Sequence, residues 1–233
     1  MTEERSILKT DDTALYRKYK ILQETFLKLK KVLIAYSGGV DSTFLLKVAY
    51  DVLQEDVLAV TATSPTYALS ELEDSIRFAR AIGCRHLITE SNELEIPEFS
   101  ENTVNRCFYC KDALFLHLKK IAHDNKITSV LDGSTFDDLD DYRPGRRALD
   151  KHGVISPLCD VGLTKNEIRL LSKELGLETS QKPSYACLSS RIPYGMKITQ
   201  NILTSIGQLE LFLKENGFRQ VRARYYNELV RIE

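Results

Sequence analysis

A doubly wound parallel α/β sheet is predicted by three observations. Short apolar runs of strand length alternate with segments whose apolar residues recur at helical spacing. The first run, Val32 to Tyr36, passes through a glycine turn directly into a helix. The richest polar stretch, residues 132–147, follows another such run. Open parallel sheets hold ligands at the carboxyl ends of their strands, where the strand order reverses.

The elements are expected in the following order. Leu15, Leu22, Phe26 and Leu29 form a helical stripe over residues 12–29. Strand one spans 32–36, and a helix runs from Ser42 to about Leu53. Val57 to Ala62 is a second strand. Leu69, Leu72, Ile76 and Ala79 mark one face of a helix over 67–82, stopped by Gly83. A short third strand covers His86 to Thr89, and residues 90–105 are a polar, acidic excursion. Lys111 to about Asn125 is helical, with Leu114, Leu118 and Ile121 on its face. Ile127 to Asp132 is a fourth strand and Val154 to Leu158 a candidate fifth. Thr164 and Glu167 form a capping box opening a helix that ends near Gly176. Residues 177–199 read as loop, 200–216 as helix, and Val221 to Ile232 as a hairpin around Asn227. Two units are expected: residues 1–180 carry the sheet, and 181–233 hold a linker loop and a small, apparently truncated C-terminal α+β part.

Composition narrows the function. The 233 residues suit one large domain, or one domain plus a small one, and 43% hydrophobic content supports a real core. With 32 basic and 33 acidic residues the net charge is −1, which gives no global attraction to nucleic acid or membrane. No apolar run approaches a membrane span, and Met1 to Arg5 has no signal-peptide character, so a cytoplasmic protein is expected. Five cysteines in that setting suggest metal or catalytic chemistry more than a disulfide framework.

The turn Ser37-Gly38-Gly39-Val40-Asp41-Ser42 reads as a phosphate cradle. Gly38 and Gly39 allow a sharp bend and a close approach. The helix that follows offers free N–H groups and a positive dipole end. The Gly-x-x-x-x-Gly-Lys-Ser/Thr loop and the Gly-x-Gly-x-x-Gly fingerprint are both absent, and no lysine stands in the turn to reach terminal phosphates. The segment resembles the signature of the PP-loop ATP pyrophosphatases. That resemblance implies cleavage of ATP between its α and β phosphates.

If strands one and four are neighbours, this loop faces the acidic segment beginning at Asp132. There Asp132, Asp137, Asp138, Asp140 and Asp141 can hold Mg²⁺, directly or through water. Arg143, Arg146 and Arg147 can pair with phosphate or carboxylate oxygens. A solvated turn with scattered charge is the bland alternative. Thr61-Ala62-Thr63-Ser64-Pro65 closes strand two at the same edge, where its backbone can hold an adenine or can be an ordinary strand end.

The cysteines discriminate between functions. Cys107-Phe108-Tyr109-Cys110 is a Cys-x-x-Cys pair followed at once by Lys111, and Cys187 lies far downstream. Such a set can bind an iron–sulfur cluster with one iron left open, bind zinc, or act as a redox dithiol. An incidental pair is the remaining option. Cys84 and Cys159 read as structural. The four histidines suggest no metal spacing.

Four segments together, Ser37–Ser42, Asn105–Lys111, Gly133–Gly145 and Lys182–Gly195, resemble the LarE-type ATP-dependent sulfur transferases. The resemblance covers most of residues 30–195 and implies the following. The substrate is a pyridinium biscarboxylate mononucleotide, used in assembling a nickel-pincer nucleotide cofactor. A carboxylate attacks the α-phosphorus of ATP, and sulfur then displaces AMP to leave a thiocarboxylate. In single-cysteine members the cysteine matching Cys187 gives up its own sulfur. Here Cys107, Cys110 and Cys187 match a subgroup that holds a [4Fe–4S] cluster and transfers added sulfide. Ser37, Gly38, Gly39, Asp41 and Ser42 would bind the ATP phosphates with Mg²⁺, and Thr63 would line the nucleotide site. Lys111 and Arg191 would meet pyrophosphate or substrate phosphate, with Asp138 and Arg143 in the acidic loop. A sulfide donor, a nickel-cofactor partner and a homohexamer are implied in the same way. The competing readings are a tRNA-thiolating enzyme of the same superfamily and a zinc-stabilised nucleotide-binding module without catalysis.

Overall fold

The computed structural model describes residues 13–139 and 144–233. Asp140, Asp141 and Arg143 of the acidic loop lie outside the described residues. In order, helix α1 (Thr13–Leu29) leads to strand β1 (Val32–Ala35), α2 (Val40–Leu53), β2 (Val57–Thr63), α3 (Leu69–Ile82) and β3 (Arg85–Glu90). Next come α4 (Pro97–Ser100), α5 (Arg106–Asp124), β4 (Ser129–Leu131), α6 (Arg146–His152), α7 (Pro157–Asp160) and α8 (Lys165–Glu174). Last are α9 (Gln200–Glu215) and the strands β5 (Ala223–Tyr226) and β6 (Leu229–Ile232).

The parallel sheet has the order β3-β2-β1-β4. Val32 registers with Val57 on one side and with Ser129 on the other. Strand order therefore reverses between β1 and β4, which opens a crevice at their carboxyl ends. Both faces of the sheet are covered. Val32 and Ile34 join a core with Phe26 of α1, Phe44 and Leu46 of α2 and Ile168 of α8. Leu33 points into the opposite core with Phe115 and Leu118 of α5 and Leu149 of α6. Alternation along one strand thus serves two helical layers, as a doubly wound sheet requires.

A third core joins Leu188, Ile192, Ile198, Leu203, Ile206 and Ala223 to Phe99 of the excursion after β3. The excursion carries a 3₁₀ turn, Glu93–Glu95, besides α4. β5 and β6 form the expected antiparallel hairpin, with Asn227 at φ 56° in its turn. Among the described residues no helix is long and apolar enough to cross a membrane.

Three expectations are corrected. The fifth strand is only a bridge between Leu131 and Ile155, because Pro157 opens α7 two residues on. α5 starts at Arg106, so the cysteine pair sits in its first turn rather than in a preceding loop. The buried face of α3 is Glu71, Ser75, Phe78 and Ala79, whereas Leu69 and Ile76 are exposed. Ser75 is buried because the glycine turn packs on it. A Cβ built on Gly38, whose φ is +67°, would stand 2.8 Å from the Ser75 Cα. Gly38→Ala is therefore expected to destabilise the fold by about 2–4 kcal/mol, from left-handed strain plus the clash. A urea melt unchanged from the parent protein would contradict this packing.

Candidate functional site

The crevice is built from two loops that touch. The loop after β1 leads into α2, whose N-cap is Gly39 and whose first turn has no side-chain cap. Its N–H groups are left for an anion. The loop after β4 approaches so closely that a Cβ on Gly133 would lie 3.1 Å from the Ser42 nitrogen.

Inside the glycine turn, the Ser37 N–H donates to Ser42 Oγ (3.3 Å) and the two serine hydroxyls are 3.0 Å apart. Ser42 Oγ also reaches the Gly39 carbonyl at 3.3 Å. The carbonyls of Ser37 and Gly38 are taken from outside the turn. The Tyr67 hydroxyl donates to Ser37 O at 2.6 Å, and the Lys182 ammonium to Gly38 O at 3.3 Å. Burial raises the Tyr67 phenol well above its ordinary range, so it remains a neutral donor. Thr63, at the end of β2, registers with Glu90, and its carbonyl accepts from the Ser91 N–H.

The facing wall is acidic but held. Asp132 accepts from Ser134 Oγ and Ser156 Oγ, each at 2.6 Å, and its carboxylate lies 3.9 Å from Lys111 Nζ. Asp138 accepts the Thr135 N–H (2.9 Å) and pairs with Lys165 at 3.2 Å. Asp41, at the start of α2, is pushed from 3.8 up to about 6 by burial, with Lys165 pulling the other way and Asp138 adding to the rise. Beside this wall a cavity of about 390 Å³ is lined by Lys111, Ser134, Asp138, Arg146, Ser156 and Cys159.

Cys107 and Cys110 lie one turn apart on α5, where residues three apart share a face. Cys107 and Cys187 are exposed. Cys110 packs beside Leu188 in the third core, and its thiol is pushed up, first by burial and then by Glu93, Cys187 and Cys107 nearby. Cys187 is the N-cap of a 3₁₀ turn, Leu188–Arg191, and its Sγ is 2.9 Å from Ser189 Oγ. Among the described residues no three His, Cys, Asp or Glu side chains are gathered closely enough to share one metal ion.

Arg191, expected at a phosphate, is engaged elsewhere. Its Nε and Nη2 bind Glu210 at 2.8 and 3.1 Å, while Nη1 donates to the carbonyls of Ala186 (2.6 Å) and Cys187 (3.3 Å). Glu210 also accepts the Tyr185 hydroxyl and the Ala223 N–H. At 2% exposure for both partners this is a buried clamp that holds the Cys187 segment on α9. Sequence reasoning also passed over Lys182, Tyr67 and Glu210. Lys182 was visible only as the first residue of a motif, and the other two carried no local signal.

The fold resembles that of the NH3-dependent NAD synthetase of Campylobacter jejuni, solved with nitrate, at a TM-score of 0.55 and 21% identity over 89% of this chain and 86% of that one. The molecule therefore has the PP-loop α/β fold. No family model matches the chain. It is 36% identical over 88% of its length to the pyridinium-3,5-bisthiocarboxylic acid mononucleotide synthase of Lactiplantibacillus plantarum, covering 75% of that protein. It is 44% identical over 94% of its length to an uncharacterized Synechocystis protein, covering 82% of it. The chain belongs to the LarE family of which that synthase is a member.

Two outcomes follow from the geometry. Between pH 3.8 and about 6 the folded Asp41 carboxyl keeps a proton that the unfolded chain has released, so its contribution to stability falls as pH rises through that window. Asp41→Asn is expected to stabilise the fold by about 1–3 kcal/mol at pH 7.5, a gain that vanishes near pH 4. Melts at the two pH values check this, and a variant less stable than its parent at pH 7.5 contradicts it. Arg191→Ala leaves Glu210 buried without its cation and is expected to cost about 3–5 kcal/mol, read by chemical denaturation. A loss under about 1 kcal/mol would mean that the clamp is not structural.

Proposed function

We propose that this chain is an ATP-dependent sulfur transferase that converts a carboxylate of a pyridinium mononucleotide into a thiocarboxylate. The observation that carries the reading is the joint arrangement of an uncapped glycine-turn helix and a cysteine segment tethered to it through Lys182. The name of the Lactiplantibacillus relative supports the substrate class.

ATP would lay its phosphates on the turn Ser37–Ser42, with the hydroxyls of Ser37 and Ser42 and the open N–H groups of α2 as donors. The half-buried carboxylate of Asp41 and the nearby Asp138 suit a hard cation, and Mg²⁺ bound there would screen the phosphate charge. Lys111 and Arg146 line the adjacent cavity and would hold the anionic substrate with its carboxylate toward the α-phosphorus. No general base is required, since a carboxylate is already ionised at neutral pH. The substrate oxygen forms a bond to the α-phosphorus as pyrophosphate leaves. Sulfur then bonds to the acyl carbon as AMP departs with the oxygen that carried it. The chain's work is positioning and stabilisation of phosphate charge.

The Cys187 segment is joined to Gly38 through Lys182 and to Thr66 through the Leu188 N–H, and Arg191 holds it on α9. The donor set is three thiols, two of them one turn apart on α5 and the third at the N-cap of the 3₁₀ turn Leu188–Arg191, and a cubane takes one thiolate per iron. When bound, a [4Fe–4S] cluster held by Cys107, Cys110 and Cys187 would offer one iron without a protein thiolate, able to carry sulfide.

The test is anaerobic incubation with ATP, Mg²⁺, sulfide and pyridinium-3,5-biscarboxylate mononucleotide. AMP, thiolated product and protein mass are then measured. More than one product per chain is expected, with Cys187→Ser inactive and Cys107→Ser reduced to one turnover or fewer. A chain that loses the mass of one sulfur at Cys187 would replace the cluster route by a sacrificial one. Absence of AMP would remove the enzymatic reading.

A further inference from the structure

The glycine turn has no lysine of its own, yet a lysine more than a hundred residues downstream reaches it. The Lys182 side chain is only 11% exposed and bridges Glu71 (2.9 Å) and Asp74 (2.8 Å) of α3. Its third donor goes to the Gly38 carbonyl at 3.3 Å, and its ammonium stands 5.4 Å from the centre of the Phe78 ring. The backbone at its root is held as well. Arg169 donates to the carbonyls of Ser180 (2.8 Å) and Lys182 (2.9 Å). Six residues on, just beyond Cys187, the Leu188 N–H donates to Thr66 O at 2.9 Å. Thr66 adjoins Tyr67, the donor to the other outward carbonyl of the turn.

A carbonyl facing a bound triphosphate repels it, so a phosphate cradle needs its carbonyls turned away and its N–H groups turned in. An ammonium on Gly38 O favours that orientation. The carboxylates of Glu71 and Asp74 hold the ammonium in place, so it is committed to the turn and not free to bind a phosphate itself. We infer that Lys182 is a positioning residue that locks the glycine turn in its anion-binding form and couples occupancy of the turn to the exposure of Cys187. The inference rests on the proposed ATP site.

The experiment uses the full chain with Lys182→Met and Lys182→Arg. Two quantities are read: the Kd for ATP, and the rate of Cys187 alkylation by iodoacetamide, located by mass spectrometry with and without ATP. For the parent protein, ATP is expected to change the alkylation rate at least threefold. K182M is expected to weaken ATP binding about tenfold and to bring the alkylation ratio close to one, while K182R retains most of both. A merely structural lysine would lower the melting temperature and leave the ratio at saturating ATP unchanged, which would overturn the inference. K182M binding ATP within twofold of the parent would overturn it too. If K182M does not fold, Asp74→Asn, which removes the more exposed of the two carboxylates, is measured instead. Intermediate losses in both quantities support the coupling, and parental values overturn it. Failure of the parent protein to bind ATP would overturn the ATP reading and this inference with it, whereas parental binding with an inert K182M overturns the inference alone.

Discussion

The structure turns on how one glycine turn is held. Gly38 adopts a left-handed backbone and lies directly on Ser75 of α3, and the outward carbonyls of Ser37 and Gly38 are bound by Tyr67 and Lys182. Each contact comes from a different part of the chain. The turn is therefore a tertiary object, although its sequence is local. Parallel pairing of β1 with both β2 and β4 brings those parts together, since it sets the crevice between β1 and β4 and the close approach of Gly133 to Ser42.

The same contacts tie the cysteine segment to the glycine turn. It begins at Lys182 on the turn, is stitched to Thr66 through Leu188, and is closed by the Arg191–Glu210 clamp onto α9. The buried Arg191–Glu210 pair fixes that segment, because the guanidinium spends one nitrogen on the carbonyls of Ala186 and Cys187.

What the sequence made legible was what local pattern encodes. Apolar runs at 32–36 and 57–62 were strands because both sheet faces are covered, and the Thr164–Glu167 capping box formed as its residue types require. The glycine turn was legible as a strand-to-helix junction, with β1 before it and α2 after it. The buried face of α3 was not. Periodicity favoured Leu69 and Ile76, but Glu71 and Ser75 are inside because Lys182 pairs with one and Gly38 packs on the other. Arg191 looked like a phosphate ligand because its partner, Glu210, comes from a helix that nothing in the motif announces. The candidate fifth strand shrank to one bridge because Pro157 starts a helix too soon for pairing to continue.

The central claim is that the glycine turn and the segment from Lys182 to Arg191 act as one site. Amide hydrogen exchange with and without ATP and Mg²⁺ tests it most directly. The account predicts slowed exchange at Ser37–Ser42 and at 182–191 over the same range of ATP concentration. Protection confined to the turn, with the cysteine segment exchanging as in the free protein, would contradict it.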